Sequence, residues 1–357
     1  MEETTADTGS QGGAAEPEGA RKTLTVAVTG PTGDIGRALM RALDREPLVG
    51  KVIGMARSPF DPAEAGWEKA EYRRGNILDH DSVAALVGDA DVVVHLAFII
   101  MGGREETRAI NLEGSRNVFE AAAGAGVDRL VYTSSVAAYG FHSDNPQPLT
   151  EDVEPRGSEG FYYSAQKAEL EGALRESLGG TAINTYVFRP SIVAGPDALL
   201  LVEQVVEQYQ LGGRLPFVQR ALEGMPFLAP VLPDPGVPFQ LVHEDDVASA
   251  LVAAICGHGP PGIYNLAGAG EIRISDLASE LGWFSVPVPK AAVGALADAA
   301  SRVPGLPAQV SWLHAFTTPV LMDTSRAQAE LGWEPRHDGL DAMRGMVTAA
   351  RREGLLG

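Results

Sequence analysis

Leu24-Thr25-Val26-Ala27-Val28-Thr29 is short, apolar and rich in β-formers, and it runs without a break into Gly30-Pro31-Thr32-Gly33-Asp34-Ile35-Gly36. Behind that turn, Arg37-Ala38-Leu39-Met40-Arg41-Ala42-Leu43 carries helical periodicity. Strand, glycine turn and helix in direct succession supply the context that a G-x-x-G-x-x-G loop needs. Glycines there permit a tight turn, let backbone approach a pyrophosphate, and bring helix and strand into contact. The free N–H groups of the helix's first turn then face the phosphates. Gly30, Thr32, Gly33, Asp34, Ile35 and Gly36 are therefore candidate cofactor-binding residues.

The next β-like run, Val52-Ile53-Gly54-Met55-Ala56-Arg57-Ser58, bears on which dinucleotide fits. An acid ending that strand would hold a ribose 2′-OH. Ala56 stands in its place, and Arg57 follows. A guanidinium suits a 2′-phosphate, so NADP is favoured over NAD. The plainer reading of Arg57 is a solvated surface side chain.

Further strand candidates lie at 71–73, 91–97, 129–134 and 181–188, with Ala-rich helical stretches at 104–125 and 162–177 between them. Several are apolar nearly throughout, as strands covered on both faces are. Alternation of this kind predicts an α/β fold, a doubly wound parallel Rossmann sheet. From Ser191 the alternation fades and Pro and Gly become denser. A smaller C-terminal substrate domain is expected from 191–238 and 268–357, with 23–190 and about 239–267 forming the dinucleotide-binding domain. Phe239-Gln240-Leu241-Val242-His243 is expected to return to the main sheet.

The chain has 357 residues, 28 basic and 47 acidic, for a net charge of −19. With 45% hydrophobic and 21% charged residues it is neither disordered, collagenous nor a disulfide scaffold. An acidic surface repels phosphate backbones and anionic lipid, which argues against nucleic acid and membrane as partners. Cys256 is the one cysteine, and no two histidines stand at i, i+4, so no metal site is expected. No apolar run reaches the roughly 18–20 residues of a membrane-spanning helix. Residues 1–22 lack a basic start and an apolar segment, and are expected to be a disordered acidic tail rather than a signal peptide. A cytoplasmic location is the default.

Tyr163-Ser164-Ala165-Gln166-Lys167 sets a phenol and an ammonium one helical turn apart on one face. A tyrosine near pKa 10 is a poor base, and a nearby lysine cation should pull it down toward proton transfer. The plainer reading is a surface pair. Upstream, Thr133-Ser134-Ser135-Val136-Ala137-Ala138-Tyr139-Gly140 ends a strand in hydroxyls, which suits orientation of a substrate oxygen.

Here the chain resembles the extended short-chain dehydrogenase/reductase family, which includes the sugar-nucleotide epimerases and dehydratases. The likeness spans about residues 23–351 and adds His95-Leu96-Ala97, Asn111 to Val118, Arg189-Pro190, Gly195-Pro196, His243 to Ala248, Tyr264 to Ala267 and Leu331 to Pro335. The resemblance implies Tyr163 as acid/base, Lys167 as its partner and ribose ligand, and Ser135 as the hydroxyl that orients the reacting oxygen. It implies that Asn111 supports the cofactor site from the helix it opens, that Asn76 and Ile77 lie by the adenine, and that Leu96, Ala97 and Pro190 pack the cofactor. The four-residue spacing to Lys167 selects Tyr163 over Tyr162, and family register selects Ser135 over Ser134.

Departures from the family pattern narrow the substrate. Dehydratases carry Asp-Glu directly after the active hydroxyl, where this chain has Val136 and Ala137. Ile192 and Ala194 replace a sugar-nucleotide-contacting Asn and its Tyr neighbour, and Phe239 replaces a diphosphate-gripping Arg. Arg214, Arg220 or Arg273 would have to compensate. With Leu215-Pro216-Phe217 and Met225-Pro226-Phe227-Leu228, these changes look more like relatives acting on apolar ketones and alcohols, though such residues also suit an ordinary core. His142 is read as a loop residue, Cys256 as a buried structural thiol, and Asp245 and Asp246 as helix caps. The leading expectation is an NAD(P)-dependent oxidoreductase acting on a small molecule. The alternatives are a sugar-nucleotide epimerase that retains NAD and a non-catalytic NADP-binding sensor or scaffold. The resemblance also implies a homodimer through the helices at 104–125 and 162–177.

Overall fold

The computed structural model describes residues 23–100, 107–213, 230–301 and 318–356. The tail at 1–22, the first residues of the 104–125 helix, Arg214, Arg220, and the apolar runs at 215–217 and 225–228 lie outside the described residues.

Seven parallel strands form the central sheet. They are β1 (Leu24–Thr29), β2 (Val49–Ala56), β3 (Ala70–Arg74), β4 (Val92–His95), β5 (Arg129–Thr133), β6 (Asn184–Pro190) and β10 (Gly262–Leu266), in the spatial order β10-β6-β5-β4-β1-β2-β3. Within β1, Val26 and Val28 face one apolar core and Ala27 faces another. That is why the strand reads as apolar throughout rather than alternating. On one face pack α1 (Asp34–Arg45) and α6 (Glu244–Ile255), through Leu39, Leu43 and Leu251. On the other lie α2 (His80–Gly88), α3 (Gly114–Ala125) and α4 (Tyr162–Leu178), through Leu86, Phe119 and Leu170. The edge strand β3 carries Glu71, Arg73 and Arg74, charges that discourage further pairing. The strand order reverses between β1 and β4, which opens a crevice at their carboxyl ends.

A third core lies beyond the sheet, built on Val202, Leu232, Phe239, Leu277, Met343 and Met346. It joins α5 (Leu200–Gly213), β8 (Val231–Asp234), α7 (Ile274–Leu281) and α8 (Gly339–Arg352). Two local expectations change here. Leu241–His243 does not return to the main sheet; it pairs with Ile192–Ala194 in a separate two-stranded sheet, and Phe239 bridges to Ile272. The strand that closes the main sheet is β10, which follows α6 and makes the parallel crossover beside β6. Both runs are short and apolar, and periodicity alone does not say which one pairs where. Nor do Asp245 and Asp246 cap α6. His243 does so, accepting from Asp245 N at 3.1 Å. Asp246 is buried and instead accepts from Arg336 N and His337 N, at 2.9 and 3.0 Å. No helix among the described residues is long and apolar enough to cross a membrane.

Candidate functional site

The glycine turn sits at the mouth of the crevice. Gly30 has φ +75°, and a Cβ there would lie 2.9 Å from Ala97 N. At Gly36 a Cβ would run into the Gly30 carbonyl oxygen and come 2.7 Å from the Pro31 carbonyl carbon. Both positions therefore exclude a side chain. Gly33, with φ −77°, caps α1 through no side chain at all. Its Cβ would meet only ordinary contact, so what this glycine offers is open access to the helix N-terminus. Gly30, Gly33, Asp34, Ile35 and Gly36 line the cavity at this point, while Thr32 contributes its carbonyl to Arg37 Nε at 3.1 Å.

The loop after β4 is held from beneath. Thr29 Oγ1 accepts from Ala97 N at 3.3 Å and hydrogen-bonds His95 Nδ1 at 2.7 Å, whose Nε2 reaches Ser115 Oγ at 2.8 Å. Burial, and secondarily the Lys167 charge, push His95 down to about 3, so the ring is neutral. Asn111 sits in a π-helical turn, Ala109–Glu113, rather than at the start of α3. Its Oδ1 accepts from Ile99 N at 2.8 Å, and its Nδ2 donates to Ile99 O and Gln166 Oε1 at 2.9 and 2.8 Å. Asn111 thus ties the β4 loop to α4. Leu96 and Pro190 line the cavity, while Ala97 closes against Gly30. Asn76 and Ile77 do not line it. Asn76 Oδ1 accepts from Leu78 N within its own turn, and Ile77 is buried with its carbonyl accepting from Asn117 Nδ2. Arg57 is exposed at the end of β2, outside the cavity lining. Arg74, also exposed, ends β3 in register with Ala56.

Ser135, Tyr163 and Lys167 converge on the cavity wall. Ser135 follows β5, and its hydroxyl hydrogen-bonds Tyr163 and accepts from Ala137 N at 3.2 Å. Tyr163 occupies the first turn of α4, edge-on to Phe98. Lys167 Nζ donates to Thr133 O at 3.0 Å and lies 3.9 Å from the Phe98 ring centre. Its distance to the Tyr163 ring centre is 5.9 Å. The electrostatics depart from the sequence argument. Burial pushes the Tyr163 phenol up to about 12, with the Ser135 hydrogen bond acting the other way. Burial also pushes the Lys167 ammonium down to about 7, offset in part by Glu171. Desolvation dominates both shifts, and the Lys167 ammonium donates to the Thr133 carbonyl. The rivals are engaged elsewhere: Tyr162 OH donates to Ile100 O at 2.5 Å, and Ser134 Oγ to Glu171 Oε1 at 2.6 Å.

Sequence reading gave Arg189 only as part of a family motif and missed its partner, Glu171. Glu171 takes Arg189 at both oxygens, both side chains being almost fully buried. The signals were present: Glu171 continues the Tyr163, Lys167 face at four-residue spacing, and a charged side chain inside an apolar strand such as β6 requires a partner. His142 bonds Gly157 O at 2.6 Å and stays in its loop. Cys256 is partly buried at the end of α6, its thiol pushed up to about 11 by burial. Arg273 is exposed beside α7 and does not line the cavity.

The cavity has a volume of about 560 Å³, within the usual range for a small-molecule site. Val136, Phe141, Phe161, Ile192, Leu201, Leu232 and Phe239 are among its walls, and its described charged lining residues are Asp34 and Lys167. Thr133 Oγ1, Ser191 Oγ and Gln204 Oε1 also belong to lining residues, and each is buried without a hydrogen-bond partner. Cradle glycines, an exposed helix N-terminus and orphaned hydroxyls fit a dinucleotide laid from Gly30 toward Tyr163.

Comparison with known proteins gives the family. The profile of the NAD dependent epimerase/dehydratase family matches residues 26–267. The uncharacterized protein y4nG of Sinorhizobium fredii is 26% identical over 330 residues, covering 89% of this chain and 76% of its own. Human 3 beta-hydroxysteroid dehydrogenase type 7 is 30% identical over 207 residues, covering 54% of this chain and 56% of its own. The crystal structure of the Bordetella bronchiseptica enzyme WbmH, in complex with NAD+, superposes with a TM-score of 0.67 at 22% identity, over 93% of this chain and all of that one. That likeness is one of fold.

Proposed function

The chain belongs to the NAD dependent epimerase/dehydratase family, and we propose that within it this protein is an oxidoreductase that moves hydride between a nicotinamide dinucleotide and a secondary alcohol or ketone of an apolar small molecule. The observation that carries this reading is the cavity wall. Ile192 and Phe239 line it, and none of its described lining residues is an arginine. A nucleotide-sugar diphosphate needs charge-assisted partners, and among the described lining residues no arginine offers one.

The dinucleotide, when bound, supplies the hydride donor or acceptor; Gly30, Gly33 and Gly36 leave room for its phosphates. Tyr163, protonated throughout the neutral range, donates its phenolic proton to the substrate oxygen during reduction. Ser135 hydrogen-bonds that phenol and orients the same oxygen. Lys167, charged below about pH 7, supports the negative charge left on Tyr163. The apolar side chains around them exclude water. Arg57, with Arg74 on the adjacent strand end, would meet a 2′-phosphate and favour NADP. A homodimer through α3 and α4 is part of the same proposal.

Tyr163→Phe tests it. With ketone substrates and NADPH or NADH, turnover should fall at least about 100-fold while coenzyme affinity is retained. Unchanged turnover would remove Tyr163 from the chemistry. Tightly held coenzyme with no net NADPH or NADH consumption would favour epimerisation instead.

A further inference from the structure

Two glutamines line the cavity, and they differ in one respect. Gln240 is fully engaged: its Oε1 accepts from Met322 N at 2.8 Å and its Nε2 donates to Met322 O at 3.4 Å. Gln204 is only 9% exposed, yet its Oε1 is buried with no hydrogen-bond partner. Buried side-chain polar groups are nearly always paired, so this one calls for a partner the chain does not provide. Its helix neighbours Leu200, Leu201 and Val205 are apolar and line the same cavity. Val202, wholly buried in the third core, anchors that turn of α5. Among the described residues, Gln204 therefore stands as an unpaired acceptor within an apolar stretch of α5. That wall is built by elements outside the central sheet, whereas Ser135 and Tyr163 come from β5 and α4.

We propose that Gln204 hydrogen-bonds a second, uncharged oxygen of the substrate, remote from the reacting carbon. The substrate is then a bulky apolar molecule oxygenated at two points, one met by Tyr163 and one by Gln204. The identity of the first point rests on the hydride-transfer reading; the second stands on the cavity alone. A carboxamide offers a donor and an acceptor and rotates to present either, so hydroxyl and carbonyl both suit it. It carries no charge to balance a carboxylate or phosphate, so an uncharged oxygen is the partner it suits.

The test uses the full chain with saturating NADP and two saturated steroid ketones. Each carries its ketone on the A ring, and the two differ only in a hydroxyl on the distant D ring. Calorimetric affinities are measured for the wild type, Gln204→Met and Gln204→Leu, with melting temperature and NADP affinity reporting on folding. The wild type should bind the hydroxylated ketone at least about tenfold more tightly than its deoxy partner. Both variants should bind the two ketones alike, without loss of affinity for the deoxy compound. Equal binding by the wild type, binding of neither ketone, or discrimination that survives in a folded variant overturns the proposal. If neither variant folds, the wild-type comparison decides alone. Turnover of the same pair with NADPH in place of NADP separates the two readings. Discrimination without hydride transfer would sink the oxidoreductase reading and leave Gln204 its role; transfer without discrimination would do the reverse.

Discussion

The Glu171 carboxylate holds the Arg189 guanidinium at two points, 2.9 Å from Nε and 2.5 Å from Nη2, with 4% and 1% of the two side chains exposed. The same carboxylate accepts from Ser134 Oγ, a residue of the cavity wall, so the pair stands directly behind the site. Removing one partner leaves the other charge buried and unpaired. Glu171→Ala should therefore cost about 3–5 kcal/mol of stability in urea unfolding. Glu171→Leu with Arg189→Met should recover most of that loss, which a simple sum of two damaging changes would not do.

The approach of Gly30 to Ala97 makes coenzyme binding sensitive to a single methyl group. Gly30→Ala would set a Cβ 2.9 Å from a backbone nitrogen at a φ of +75°, so the turn must shift. Fluorescence titration with NADPH and NADH should show affinity reduced at least about tenfold. Gly33→Ala, free of any such clash, should be milder.

The pH dependence of catalysis follows from the two shifted groups. The Tyr163 phenol, at about 12, keeps its proton throughout the neutral range, so it sets no limb there. Lys167, at about 7, is charged below that pH and neutral above it. Ketone reduction should therefore decline as pH rises through 7, because support for the developing phenolate is lost. Lys167→Met should lower the rate and flatten this limb, as a pH–rate profile of kcat would reveal.

Glu244 makes an opposite contribution to folding. Its side chain is 1% exposed; Oε1 accepts from Asp197 N at 3.1 Å, and Oε2 has no hydrogen-bond partner, with His243 Nδ1 at 3.6 Å. Burial, with Asp245 and Asp197 nearby, raises its carboxyl from 4.5 to about 7. The folded state thus binds the extra proton between those values, and stability from this group is lost as pH rises from 4.5 to 7. Glu244→Gln should stabilise the protein at pH 8 by up to about 2–3 kcal/mol and change little at pH 4. Denaturation midpoints at the two values check it.

Arg57 is exposed at the end of β2, where no acid competes for a ribose. Arg57→Ser should raise the KM for NADPH at least about tenfold and leave that for NADH nearly unchanged. Equal effects on both coenzymes would make this arginine an ordinary surface residue.

Much of the fold was legible because its signals are local. Leu24 to Thr29 is a strand with the bounds its composition implies, and the glycine turn behind it opens a helix at Asp34. The spacing of Tyr163 and Lys167 put both on one helical face, where the cavity finds them. Legibility ended where partners are distant in sequence. Nothing in Phe239 to His243 says that it pairs with Ile192–Ala194 rather than the sheet edge. Asn76 and Ile77 are held by a turn and by the contact beneath Gly114, and neither lines the cavity.

The amino-acid order by itself therefore determined the wound sheet, the glycine turn that opens its first helix and the chemical groups of the candidate site. Hydrophobic patterning and glycine geometry act over a few residues and need no knowledge of what lies across the molecule. Only tertiary structure decided the state of those groups: a phenol driven up and an ammonium driven down by burial, a carboxylate locked to Arg189, and Gln204 left with an unpaired acceptor in an apolar stretch of α5. Desolvation and hydrogen-bond pairing depend on which atoms are brought near, and for these residues the neighbours come from segments far along the chain.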